Sequence, residues 1–312
     1  MSAVSSVDSK KDVLLNKDEY LYTGNVPLYI PVQEAMALYD KITLDDVKQL
    51  YNHLLTTSSA SAVFSVSPEL TAGKNKELLL SSIGSQLPVF KPHKEVVQTD
   101  KSDRTVSMPA RAHVIKRLSK ENYAAVSLNY KIPLTKDLRE NLGIKILETI
   151  IGGESYSRLF TQLRDRDSLV YNANSLLEEQ YLTYSNLVLV TKVLVNEGNF
   201  DNLKKVCNCF KENIQNLRTL PVKEAELNTA KLTVKSYIAN AMEIPATRHY
   251  YLSKFGLQGI QKAYNLIDNL TAADIRALAD KYLKNGVWCI DAPKEAYEYN
   301  NEYLNCLENE II

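Results

Sequence analysis

Histidine is scarce: four occur in 312 residues. His53 is followed by Leu54-Leu55-Thr56, His93 by Lys94-Glu95-Val96, His113 by Val114-Ile115-Lys116, and His249 by Tyr250-Tyr251-Leu252. None stands in H-x-x-E-H or H-E-x-x-H, the spacing that puts two ligands one helical turn apart for zinc. Cysteine is equally sparse, at four, and Cys207, Cys209, Cys289 and Cys306 are too scattered for a disulfide framework. Cys207 and Cys209 would diverge on a helix, so they read as ordinary thiols, with Cys207 half-buried. No G-x-S-x-G elbow, phosphate loop or dinucleotide turn is present. No stretch approaches the ~20 apolar residues of a membrane helix, and Met1–Asp12 lacks an apolar secretion core. Neither sign of charge is in excess, with 37 basic and 37 acidic residues, which argues against an extended nucleic-acid surface. No membrane and no nucleic acid is therefore expected among the partners.

What is present is an ordinary globular composition, 45% hydrophobic and 24% charged, enough for one large domain or two smaller ones. Helices are expected over Gln33–Tyr39, Thr43–Leu55 and Lys74–Ser82, with a strand over Ala60–Val66 and a linker over Gln86–Asp103. A second unit starts near Arg104. Val114–Leu118 reads as a strand, and Tyr123–Lys131 alternates as a half-buried one. Asp137–Ile151 is an apolar helix stopped at Gly152-Gly153. Ser157–Arg166 is a short helix, with Ser157 as N-cap and Arg158 as a surface charge. Leu169–Ser175 and Leu182–Val195 are strands. Helices follow over Asn199–Leu217, Pro221 to about Met242, Pro245–Phe255, Gln261–Leu266 and Ala272–Leu283, then a last strand, Gly286–Ile290. The charged tail 294–312 reads as a surface extension. Strands separated by helix pairs without regular βαβ alternation give an α+β class: a mostly antiparallel sheet with helices packed on one face.

An internal repeat sets the organisation. Ile42-Thr43-Leu44-Asp45-Asp46-Val47-Lys48-Gln49-Leu50 matches Leu270-Thr271-Ala272-Ala273-Asp274-Ile275-Arg276-Ala277-Leu278. Thr, Asp and Leu are identical at three places, and apolar or basic character is kept at four more. The offset is far too long for a solenoid and indicates a tandem domain duplication. The expected division is residues 1–100 as the C-terminal part of a preceding lobe plus linker, and 104–293 as a complete second lobe. Either the chain is a fragment of a longer protein, or it keeps a remnant of the first copy.

Ile150-Ile151-Gly152-Gly153-Glu154-Ser155-Tyr156-Ser157-Arg158-Leu159-Phe160-Thr161-Gln162-Leu163-Arg164, followed by Leu169-Val170-Tyr171, carries a recognisable pattern. It resembles the C-terminal lobe of insulinase/pitrilysin-type metallopeptidases, which shows a Gly-Gly turn, S-R-L-F, L-R and a following Tyr. The resemblance implies two homologous lobes around a chamber. The first lobe holds Zn2+ through H-x-x-E-H and a distant Glu, and the second holds no metal. It further implies that Arg164 and Tyr171 reach a bound peptide near its scissile bond, where a guanidinium and a phenol are suitable donors to a carbonyl oxygen. The bland alternative makes Arg164 a helix-end charge and Tyr171 strand packing. Gly152 and Gly153 are expected to need φ freedom, as a helix stop or to let substrate approach the backbone. The expected function is the substrate-binding, non-catalytic half of a zinc endopeptidase. It would bind no cofactor itself and would work with a peptide substrate and a zinc-bearing homologous lobe or subunit. The alternative is a catalytically inactive structural or binding homologue.

Overall fold

The computed structural model describes residues 32–57, 66–67, 69, 73–86, 113–133, 135, 137–181 and 184–309. The described residues form two compact units. The smaller holds those between 31 and 102 together with 238–261, and the larger those of 103–237 and from 262 on.

In the smaller unit, α1 spans Val32–Tyr39, α2 Leu44–Thr57 and α3 Gly73–Gln86. α2 opens with a reciprocal cap. Thr43 Oγ1 accepts from the Asp46 N–H at 3.2 Å, and Asp46 Oδ2 accepts from the Thr43 N–H at 2.8 Å and its hydroxyl at 2.7 Å. Most of the expected strand Ala60–Val66 and of the expected linker 86–103 lies outside the described residues.

The larger unit is built on strands β1 (His113–Leu118), β2 (Tyr123–Pro133), β3 (Val170–Tyr181), β4 (Tyr184–Leu194) and β5 (Val287–Ala292). Their order is β1-β5-β2-β4-β3. Only the β1–β5 pair is parallel, so the sheet is mostly antiparallel and the fold α+β, as the patterning indicates. The remaining helices in chain order are α4 (Leu138–Glu148), α5 (Arg158–Phe160), α6 (Asn202–Thr219), α7 (Glu224–Glu243), α8 (Pro245–Asp268), α9 (Ala272–Tyr282), α10 (Lys294–Tyr299) and α11 (Asn301–Asn309); residues 238–261, the end of α7 and most of α8, belong to the smaller unit.

The β2 alternation explains the core. Ala124, Val126, Leu128, Tyr130 and Ile132 are all buried, and Leu128 lies in register with Leu189 on β4 and Trp288 on β5. Trp288 stacks on Phe210 of α6 with ring centroids 6.2 Å apart, which joins helix to sheet. The opposite face carries Ser127 and Asn129, also buried. Asn129 Nδ2 donates to Ser127 Oγ at 3.1 Å and to the Val287 carbonyl at 3.0 Å, which satisfies the donor side of this buried amide.

α9 packs against α4 and α6. Its cap reproduces that of α2: Asp274 Oδ2 accepts from Thr271 N–H at 2.8 Å and Thr271 Oγ1 at 2.7 Å, and the return bond is 3.2 Å. Ile275, Ala279 and Leu283 are completely buried.

The two helices expected over Pro245–Phe255 and Gln261–Leu266 are found within α8, which breaks at Gly256, where φ is 66°, a left-handed conformation suited to glycine. Other expectations change. Cys207 is fully buried, not half-buried, and burial raises its thiol pKa. The tail beyond Lys294 is not a surface extension: α10 and α11 bury Ala296, Leu304 and Leu307, and α11 packs on β1. The charges that suggested exposure occupy the outward sides of these two short amphipathic helices.

Glu140 on α4 ties α4 to α9. It accepts from Lys281 Nζ at 2.5 Å and Tyr282 OH at 2.6 Å, and these bonds hold its carboxyl below the ordinary value of 4.5. A depressed folded-state value contributes stability above the unfolded value, which is lost as pH falls through the folded value. Glu140→Gln is therefore expected to destabilise the protein near neutral pH, with the deficit shrinking below pH 4.5. Urea midpoints for both proteins across that range check this, and a pH-independent difference would contradict it.

Candidate functional site

α4 ends in a wider π-helical turn, Thr149–Gly153. Here Gly152 lies against the backbone of β3. A Cβ on Gly152 would stand 2.4 Å from the Ser175 nitrogen and 2.7 Å from the Asn174 carbonyl carbon. Gly152 has φ −159°, and neither it nor Gly153 has a positive φ, so the expected need for φ freedom is replaced by a need for space. At Gly153 a Cβ would meet only Thr149 side-chain atoms, at 3.4 Å and beyond. Ser175 Oγ donates to the Glu148 carbonyl at 2.6 Å and fastens the same junction. Residues 153–174 are thereby closed into a loop whose two ends touch.

That loop is held down at several points. Leu159 and Leu163 are completely buried. Glu154 accepts from the Tyr237 hydroxyl, and Tyr156 and Thr233 share a hydroxyl hydrogen bond, both reaching α7. Arg158 is expected to be a free surface charge. It is half-buried and makes a two-pronged pair with Glu226, at 2.6 and 2.8 Å. Ser157 takes the N-cap position, but its side chain makes no cap bond. Gln162 Oε1 accepts from Asn213 Nδ2 at 2.7 Å and from the Cys209 thiol at 3.0 Å, which anchors the second turn to α6.

Arg164 differs from its neighbours. Arg158 has Glu226, and Arg166 pairs with Asp167 at 2.7 Å. Among the described residues no carboxylate or carbonyl pairs with Arg164. Its guanidinium carbon lies 4.8 Å from the centroid of the Phe160 ring and 4.8 Å from that of the Tyr171 ring. Stacking between two π faces fixes the cation, worth about 0.5–1 kcal/mol per ring at exposed sites, and leaves its edge donors free. The chain reverses between Arg164 and Tyr171 through Ser168, a non-glycine residue at φ 49°. Ser168 N–H bonds the Arg164 carbonyl at 3.2 Å and Leu169 N–H the Leu163 carbonyl at 2.8 Å. Tyr171 is 84% exposed, so it is not strand packing. Arg164 and Tyr171 are therefore brought together on the surface. Phe160 joins them; four residues before Arg164, it had a legible signal in helical spacing.

Among the described residues no three His, Cys, Asp or Glu side chains gather to hold a metal ion. Residues 41–234 match the family model described as the peptidase M16 inactive domain. The chain belongs to the M16 peptidase family. Within it the match is to the C-terminal domain without catalytic machinery, so this chain is a non-catalytic half of an M16 protein. No curated protein matches it by sequence. Its fold is similar to that of a protease from Helicobacter pylori, with TM-score 0.62, 17% identity, and coverage of 90% of this chain and 66% of that one. It is similar, too, to a peptidase M16 inactive domain from Pseudomonas fluorescens (TM-score 0.62, 18% identity, 90% and 65% coverage). A chain of complex III2 from Candida albicans also shares the fold (TM-score 0.66, 15% identity, 96% and 71% coverage). This M16 chain thus spans just under two thirds of the length of the first two.

The contact at Gly152 generates a paired test. Gly152→Ala is expected to destabilise the protein by about 1–3 kcal/mol, because backbone must move. Gly153→Ala should stay within about 0.5 kcal/mol, since it meets only a side chain at ordinary distance. Chemical denaturation compares them, and equal costs would contradict the assigned contact.

Proposed function

We propose that this chain is the substrate-holding half of an insulinase-type zinc endopeptidase and acts with a zinc-bearing lobe or subunit on peptides. The observation that carries the reading is the guanidinium of Arg164, stacked between Phe160 and Tyr171 and left without a carboxylate partner beside an exposed phenol. Family membership supports it, because the matched domain is the one without catalytic machinery.

In this reading Arg164 donates N–H bonds to main-chain carbonyls of an extended peptide, and the Tyr171 hydroxyl donates to the carbonyl where negative charge develops. Zn2+ on the partner lobe would supply the activated water. This chain's own residues bind, orient and polarise. Gly152 and Gly153 shape the loop from beneath, and the Ser168 turn sets the Arg164–Tyr171 spacing. A purely structural homologue would have no use for a stacked cation with free donors, which favours binding.

Fluorescence anisotropy with a labelled extended peptide, on the chain assembled with its zinc-bearing partner, tests the reading. Arg164→Ala is expected to weaken binding roughly tenfold to a hundredfold, the range of a lost charged hydrogen bond. Tyr171→Phe, which keeps the stack, should spare binding and lower turnover. The chain alone should show no metal-dependent cleavage. Unchanged binding and turnover in both variants, or metal-dependent peptidase activity of the isolated chain, would refute the proposal.

A further inference from the structure

Tyr171 reaches the surface against the alternation of its own strand. β3 pairs with β4 through Leu177↔Leu187, Ser175↔Leu189 and Ala173↔Thr191, and then through Val170↔Val193. Between the last two pairs β3 advances by three residues and β4 by two, so Tyr171 and Asn172 together stand opposite Lys192. Two residues facing one make a β-bulge. Strict alternation back from Leu177, Ser175 and Ala173 would turn Tyr171 towards the core. With the extra residue, Val170 takes that core place at 7% exposure and Tyr171 is left 84% exposed. Asn172 and Lys192 are exposed beside it. The bulge therefore delivers the phenol to the place where Arg164 meets it.

A bulge takes main-chain groups out of the ladder, and those groups need another partner. Here β4 supplies one. Thr191 Oγ1 donates to the Asn172 carbonyl at 2.5 Å. Thr191 is 4% exposed and lies on the core side of β4, in line with Leu187, Leu189 and Val193. That row is otherwise apolar, and valine has the same branched shape as threonine. What distinguishes threonine there is the hydroxyl, and the hydroxyl is spent on the bulge.

We infer that Thr191 is a positioning residue: its hydroxyl fixes the bulge at Tyr171–Asn172 and so holds the Tyr171 ring against Arg164. It acts through the backbone of β3. The consequence for turnover rests on the peptide-binding reading above; the placement of the ring is read without it.

Two substitutions test this. Thr191→Val removes the hydroxyl and keeps the shape, while Thr191→Ser keeps the hydroxyl and loses the methyl group. In the full chain, the NMR signal of the Arg164 Nε–H, shifted by the flanking rings, should move towards the ordinary arginine position in Thr191→Val. It should stay at the wild-type position in Thr191→Ser. In the chain assembled with its zinc-bearing partner, Thr191→Val should lower kcat roughly tenfold to a hundredfold, the scale of a donor displaced by about 1 Å. KM should change little, and Thr191→Ser should retain the wild-type kcat. A threonine that served packing alone would give the reverse order: the serine variant would lose stability, the valine variant would not, and neither would move the Arg164 signal. That pattern would overturn the inference. Should Thr191→Val fail to fold, the wild-type hydroxyl proton decides. Slow exchange with solvent and a coupling across the hydrogen bond to the Asn172 carbonyl carbon support the inference, and free exchange overturns it. The peptide-binding reading is scored separately. Unchanged binding in Arg164→Ala would sink that reading and leave a Thr191-dependent Arg164 signal standing. Lost binding in Arg164→Ala with an unmoved signal in Thr191→Val would sink the inference and leave the reading.

Discussion

The close approach of Gly152 to the backbone of Asn174 and Ser175 is the constraint on which the site depends. It allows the end of α4 to rest on the edge strand β3, and Ser175 Oγ then reaches the Glu148 carbonyl. With both ends fixed, residues 153–174 have a defined path. Buried Leu159 and Leu163, the Arg158–Glu226 pair and the hydroxyl bonds to α7 hold that path against the helical layer. The pairing of Arg164 with Tyr171 follows from this closure. An isolated cation–π pair at a surface is too weak to order a loop by itself.

Three arginines within one short segment have three environments. Arg158 and Arg166 are paired with carboxylates, whereas among the described residues Arg164 meets aromatic faces. A paired guanidinium has its donors committed. One held against ring faces keeps them uncommitted while losing conformational freedom, which lowers the entropic cost of binding. Arg164 therefore keeps N–H donors uncommitted beside an exposed phenol.

Much of this was legible in the sequence. The β2 alternation identified the core strand, and the periodicity from Ala272 identified α9. The S-R-L-F and L-R spacing singled out Arg164 and Tyr171, which the structure places in contact. What was missed had no local signature. The reason for glycine at position 152 lies in strand residues far along the chain, and Glu226, which takes up Arg158, is on another helix. The tail was misread because alternating charges masked three apolar positions that only the sheet edge reveals. The repeat was legible as pattern, while the contrast between a buried α9 and a bare α2 needed coordinates.

The most direct test of the account is the side-chain NMR signal of the Arg164 Nε–H in the intact protein. A guanidinium held between the rings of Phe160 and Tyr171 experiences their ring currents, so the signal should lie upfield and return towards the ordinary arginine position in Tyr171→Leu. An unshifted Arg164 signal, identical in the wild type and in that variant, would contradict the stack and with it the site.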